Sequence, residues 1–283
     1  MSLFSVNTNV GALIALESLT KTNSQLAAVQ KQVSTGYRVA DASDDGAAYA
    51  IAQNIRSTVG ALTSANQQLG GVQGALATTK SALNNISNTL SSMRDVLVKL
   101  SDGNVQGNDR TNYTQQYKSL LANVKTFVQD SGYNGKTLIG NLTGSSGTFG
   151  RVAVTRNESG SSYGVATFGG SALYGSINFT STQLGGASTI AALITATGTF
   201  LNQEHSVGKA LNTVGAETNY VTNQISYNSD KVNALNTGLG SLVDANLAQE
   251  SAQLQALQIR QQLGTQALSL ANQAPQTLLS LFK

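Results

Sequence analysis

The chain contains no cysteine, no tryptophan, one proline and one histidine in 283 residues. Without cysteine there is neither a disulfide framework nor a thiolate metal site. The single histidine, His205 beside Glu204, leaves too few ligands for a zinc centre, so no metal and no cofactor is expected. One proline leaves long helices uninterrupted. Charge is also scarce: charged residues make up 11% of the chain, against roughly 25% in a typical soluble domain. Asn, Gln, Ser, Thr and Gly fill the gap, and such a surface resists self-association poorly. Basic residues never run three together, which excludes a clustered nucleic-acid face. No HExxH, nucleophile elbow or phosphate-binding loop occurs, and no enzyme activity is expected. No apolar stretch approaches the roughly 18 residues of a membrane span. The first residues lack a basic region and a cleavage site, so the chain is cytoplasmic or leaves without a cleaved signal.

What the chain does have is period. One ladder at alternating three- and four-residue spacing runs Ala48, Ile51, Ile55, Thr58, Leu62, Ala65, Leu69, Val72, Leu76, Thr79, Leu83, Ile86, Leu90, Met93, Leu97, Leu100. A second runs from Phe200 through Val207, Val214, Val221, Asn228 and Leu235 to Leu242. A period of 3.5 places a seam against another helix. Residues 3–35 form a helix by the same rule, through Leu19, Leu26 and Val33, and Gly36 stops it. Residues 1–37 carry only Glu17, Lys21 and Lys31, so this helix faces neighbours on most sides. A C-terminal ladder includes Leu247, Leu254, Leu257 and Leu268, and its phase slips by one residue beside Gly238 and Gly240, which reads as a joint.

The expected fold is mainly α: a long antiparallel coiled-coil bundle formed by the N- and C-terminal regions, with a small β-rich insertion at the tip. Residues 1–37 with 243–283 form an inner segment, 38–139 with 196–242 a helical rod, and 140–195 a small tip. A connector at 37–43 precedes a helix capped by Ser43, with Asp44 and Asp45 in its first turn. A paired-carboxylate acid–base site is the alternative for this doublet, disfavoured because no other ionisable group is fixed nearby. A loop at 101–109 leads to a shorter helix ending at Gly132. A hairpin pairs 151–156 with 163–168, and Ile177–Phe179 reads as a further strand. Gly60, Gly70, Gly71 and Gly74 inside the long helix mark close approach or contacts between subunits. The terminal segments, with Ala, Gln, Thr and Gly at many seam positions, bury too little apolar area to offset their ordering entropy alone. They order when other copies pack on them.

These ends resemble those of bacterial flagellin. The resemblance lies in Val6-Asn7-Thr8-Asn9, in Ser34-Thr35-Gly36-Tyr37-Arg38-Val39 followed by Ser43-Asp44-Asp45, in Tyr133-Asn134-Gly135, and in Gln261-Gln262-Leu263-Gly264-Thr265 with Ala271-Asn272-Gln273-Ala274-Pro275-Gln276. It implies a subunit that polymerises with itself into an extracellular flagellar filament for swimming motility. The terminal helices would form the inner D0 coiled coil, using Val6, Val10, Leu13, Leu19, Leu26, Val33, Leu247, Leu254, Leu257, Leu268, Leu279 and Leu281. Gly36, Arg38, Asp44 and Asp45 would form the joint to D1. Partners implied are the flagellar type III export apparatus, an export chaperone, and hook-junction and cap proteins. Flagellins detected by the innate receptor TLR5 carry Gln-Arg just after a leucine; here Leu90 is followed by Ser91 and Ser92, only Arg94 is kept, and Gln116 replaces a glutamate, which implies weak or no TLR5 activation. The alternatives are a hook–filament junction protein with similar termini and a filament-displayed enzyme or adhesin.

Overall fold

The structure, a computed structural model, describes residues 8–281, with side chains through Gln273. The elements in chain order are α1 (Val10–Thr35), α2 (Gly46–Leu100), α3 (Gly107–Gln129), β1 (Lys136–Thr137), β2 (Thr148–Phe149), β3 (Ala153–Thr155), β4 (Ser162–Gly164), α4 (Gly170–Ile177), α5 (Ser181–Gly185), α6 (Ala187–Leu193), α7 (Thr199–Val243) and α8 (Leu247–Leu281). Two compact units divide the chain: Met1–Thr58 with Ala234–Lys283, and Val59–Asn233.

In the second unit the ladder of α2 is the core. Leu62, Leu69, Leu76, Leu83, Ile86, Leu90, Met93, Leu97 and Leu100 are all fully buried. From α7 come Phe200, Val207, Val214 and Val221; from α3 come Tyr117, Leu121, Val124 and Val128. Segment 140–195 adds Val165, Leu173, Ile177, Phe179, Leu184 and Ile190 to the same cluster. The Tyr117 and Phe179 rings stack at 5.9 Å, and Phe179 meets Phe200 at 6.5 Å. The Tyr117 hydroxyl donates to the Ile177 carbonyl at 2.7 Å, and burial pushes its phenol pKa up.

The hairpin β3–β4 is antiparallel, pairing Ala153 with Gly164 and Thr155 with Ser162. Its strands are shorter than the expected 151–156 and 163–168. Side chains of the long helices supply its missing backbone partners. Gln68 of α2 accepts from the Thr155 N–H at 3.0 Å, and Glu217 of α7 accepts from the Ala166 N–H at 2.8 Å. Tyr163 stacks on Tyr220 at 4.5 Å, and Lys231 pairs with Glu158. The fully buried Asn228 donates to Asn66 Oδ1 and to the Arg156 carbonyl, both at 2.9 Å, so a polar member of the α7 ladder is satisfied.

Several expectations are corrected. Ile177–Phe179 is not a strand: Ile177 ends α4 and Asn178 caps it, with Leu173 and Ile177, four residues apart, both buried on one face of the helix. The parallel pair β1–β2 and helices α4 and α5 were not anticipated. The loop after α2 is shorter than 101–109, since α3 starts at Gly107. At the end of α2 the Arg110 guanidinium donates to the carbonyls of Leu100, Val105 and Leu184 at 2.8–2.9 Å, meeting acceptors that a helix end leaves open. Of the α2 glycines, only Gly74 lies against a neighbour within the chain: a Cβ there would meet the Tyr133 ring, whereas Gly60, Gly70 and Gly71 have open space. Tyr133 itself begins a two-residue turn in which Asn134 (φ 48°) and Gly135 (φ 73°) are left-handed.

Glu217 gives this unit a pH signature. Burial raises its pKa, opposed by the Ala166 N–H and by Arg151, and its Oε2 is buried without a partner. A raised folded-state pKa gives stability that is fully present below the unfolded value, near 4.5, and lost as pH rises through the folded one. Thermal unfolding of Glu217→Gln from pH 4 to 8 should therefore lose part of the parent's decline above about pH 4.5. An identical slope in both proteins would contradict this.

Candidate assembly surface and joint

α1 starts later than residue 3 among the described residues. Asn9 is its N-cap, accepting from the Ala12 N–H at 3.0 Å and donating to the Ala271 carbonyl of α8 at 2.7 Å. Gly36 ends it in the left-handed conformation (φ 73°), its N–H bonded to the Gln32 carbonyl. α1 and α8 pack along each other through a small core of Leu26, Val29 and Leu257, with Val33 and Leu254 half-buried beside it. Gln261 donates to Asn23 at 2.8 Å, and Gly264 admits the Leu19 side chain.

Many apolar side chains on this pair are open, most of them beside the ladder rather than on it. Val10, Leu13 and Ile14 are 55–62% exposed, and Ile259, Leu263 and Leu270 58–71%. Leu16 and Leu247 are about half exposed, and Leu19 and Leu268 are partly buried. Of the twelve predicted assembly residues, Leu26 and Leu257 are buried, Leu19, Val33, Leu254 and Leu268 are intermediate, and Val10, Leu13 and Leu247 are exposed. Val6 lies outside the described residues, as do the side chains of Leu279 and Leu281. Ile14, Ile259, Leu263 and Leu270 are exposed apolar positions that the sequence reading did not single out. Their signal was present as apolar residues beside the ladder on a helix with almost no charge.

The joint is built of backbone. The N–H groups of Arg38 and Val39 donate to the Val243 carbonyl at 2.7 and 3.3 Å, and the Ala245 N–H donates to the Gly36 carbonyl at 2.9 Å. The Arg38 guanidinium donates to the Leu242 carbonyl at 2.6 Å, so the last acceptors of α7 are satisfied by this strand-like connector. Val39, Ala52 and Val243 close over it as a separate buried cluster. Ala52, not its neighbour Ile51, is the buried position there; Ile51 is 51% exposed. Gly238 and Gly240 lie within α7, and the break falls at Asp244–Asn246, with Asn246 accepting from the Gln249 N–H to cap α8.

Ser43 is not the cap of α2. The helix begins at Gly46 and Asp45 caps it, accepting from the Ala47 and Ala48 N–H groups at 3.1 and 3.0 Å. Asp44 turns to Lys31, which bridges Asp41 at 2.6 Å and Asp44 at 2.7 Å. An ionisable group is therefore fixed beside the doublet after all, as an ion-pair partner. Lys31 holds both carboxylates below their usual range, its hydrogen bonds being the largest cause, and its own pKa is raised in return. These groups are exposed, and the pairs hold a connector rather than a buried charge.

The TLR5-like positions lie on α2 and α3. Leu90 is fully buried in the core. Ser91, Ser92 and Gln116 are exposed, and Arg94 pairs with Glu204 at 3.5 Å. His205 is exposed. Among the described residues no group of three or more His, Cys, Asp or Glu gathers to hold a metal, and no helix is long and apolar enough to cross a membrane.

The family model of the bacterial flagellin N-terminal helical region matches residues 6–143, and that of the C-terminal helical region matches 195–282. The chain is 32% identical to flagellin FljM of Caulobacter vibrioides, with all of both chains covered. It is 33% identical to a flagellin of Brucella melitensis, with 99% of both covered. A solved structure described as a flagellar hook-associated protein from Vibrio parahaemolyticus shares the fold, with a TM-score of 0.56 at 17% identity, covering 71% of this chain and all of that one. Matched by both regional models and similar to flagellins along its whole length, the chain belongs to the bacterial flagellin family.

Proposed function

We propose that the chain is the structural subunit that polymerises into an extracellular bacterial flagellar filament for swimming motility, and that it has no catalytic role. The observation that carries this reading is the set of exposed apolar residues on α1 and α8, Leu13, Ile14, Leu263 and Leu270 among them, on a pair that buries three apolar side chains among the described residues. Large apolar side chains exposed in this number on one helix pair mark an interaction site. Its occupant is a different face of the terminal helices of another copy, since a heterologous contact that does not close grows into a fibre.

In this reading residues 1–37 with 243–283 form the inner coiled coil, 38–139 with 196–242 the surrounding helical layer, and 140–195 the outermost part. Gly36, Arg38, Asp44 and Asp45 fix the joint. Export proceeds unfolded through the flagellar type III apparatus, with a chaperone covering the C-terminal region. The absence of cysteine and the single proline suit that route. Hook-junction and cap proteins meet the two ends of the polymer.

Electron microscopy after salt-induced assembly tests the reading. The full chain should form filaments. A chain ending at Leu242 should stay unpolymerised while keeping the helix content of Val59–Asn233. Leu254→Asp, which sets a charge against the Leu26–Val29–Leu257 core, should cost on the order of 3 kcal/mol and act in the same way. Filaments from either altered chain would contradict the reading.

The receptor positions generate a second expectation. Leu90 is committed to the core, Arg94 is held by Glu204, and Ser91 and Ser92 offer no guanidinium anchor. The purified protein should be a poor TLR5 agonist, and robust reporter-cell activation at ordinary flagellin doses would overturn that.

A further inference from the structure

Assembly through α1 and α8 removes their surfaces from water, and a charge left unpaired there is costly. Five charged residues lie on the two helices: Glu17, Lys21 and Lys31 on α1, Glu250 and Arg260 on α8. Lys31 is taken up within the chain by Asp41 and Asp44. Glu250 lies in the first turn of α8, where the helix dipole favours a negative charge. Glu17, Lys21 and Arg260 are exposed and are in none of the ion pairs among the described residues.

Two of these three share a site. Lys21 and Arg260 border one groove of about 560 Å³ between the helices, floored by Leu19 and Gly264. No acidic side chain of the same chain lines it. The Gln261–Asn23 hydrogen bond sets Arg260 close to the level of Asn23. Glu17 adjoins the groove at Ser18 and lies four residues before Lys21 on α1, about 6 Å along the axis at about 1.5 Å per residue. A second copy displaced along that axis brings its Glu17 level with the groove.

We infer that Glu17 of one copy enters the Lys21–Arg260 groove of a neighbouring copy and sets the register between their terminal helices. The inference rests on the polymerising role of these helices. The surrounding surface is apolar and amide-rich and tolerates sliding, so the few charges decide which displacement is favoured. The contact is heterologous: every copy presents one acid and one groove, and each junction leaves both free at its far side for the next copy.

The test uses the full chain with Glu17→Arg or Arg260→Glu, each alone and the two mixed one to one. Critical concentration for assembly is measured by sedimentation near physiological salt. Both positions are exposed, and unchanged far-UV circular dichroism checks that the variants fold like the parent. Each variant alone should raise the critical concentration at least about tenfold, the equivalent of one like-charge contact per junction. The mixture should return to within about threefold of the parent, because each variant supplies the charge the other lacks. Single variants that polymerise like the parent, or a mixture no better than the poorer variant, would overturn the inference while parental filaments leave the polymerising role standing. If the parent itself forms no filaments, both fall.

Discussion

Three side chains, Leu26, Val29 and Leu257, are the whole buried core between α1 and α8 among the described residues. Everything else about the terminal helices follows from how little that is. Two helices can bury only one seam each, and the remaining apolar positions of both stay in water. The ordering entropy of a 26-residue and a 35-residue helix has to be offset by burial that the pair does not supply to itself. A partner that binds the ordered state supplies it by mass action, so folding of this pair and its association are linked.

The unit formed by Val59–Asn233 shows the opposite balance. Its α2 seam is closed along its length by α3, α7 and the segment between them, and the aromatic cluster of Tyr117, Phe179 and Phe200 is stacked within it. Polar groups are satisfied in place: Asn228 by Asn66 and a backbone carbonyl, the end of α2 by Arg110, and the hairpin by Gln68 and Glu217. The joint contributes a third kind of interaction. Connector N–H groups and the Arg38 guanidinium meet the carbonyls at the end of α7, which fixes the chain path between α1 and α2 by geometry rather than by hydrophobic area.

The helical period of α2 was readable because every ladder position from Leu62 to Leu100 has one face to bury against a long partner. At Ile51 the same rule pointed one residue away from the buried Ala52, because the partner there is a connector and only a small side chain fits beneath it. The cap of α2 was expected at Ser43 and is Asp45 for a related reason: Ser43 belongs to the Asp41 turn, and Lys31, distant in sequence, draws Asp44 out of the helix. The break at 244–246 falls just after the expected boundary between 242 and 243, and it is held by hydrogen bonds to residues 36–39 rather than by the glycines before it. Short apolar runs such as Ile177–Phe179 fit strand and helix equally well, and only the packing of Ile177 into the shared core settles them. The charge balance of α1 and α8 was visible as composition, but the groove shared by Lys21 and Arg260 needs the antiparallel register, which sequence spacing alone does not give.

The central claim is that the terminal helices gain their order from neighbouring copies. Backbone amide hydrogen exchange, measured on the monomer and on the assembled polymer, tests it most directly. The account predicts weak protection of residues 10–35 and 247–273 in the monomer and strong protection in the polymer, with the interior of α2 protected in both. Equal protection of the terminal helices in the two states would contradict it.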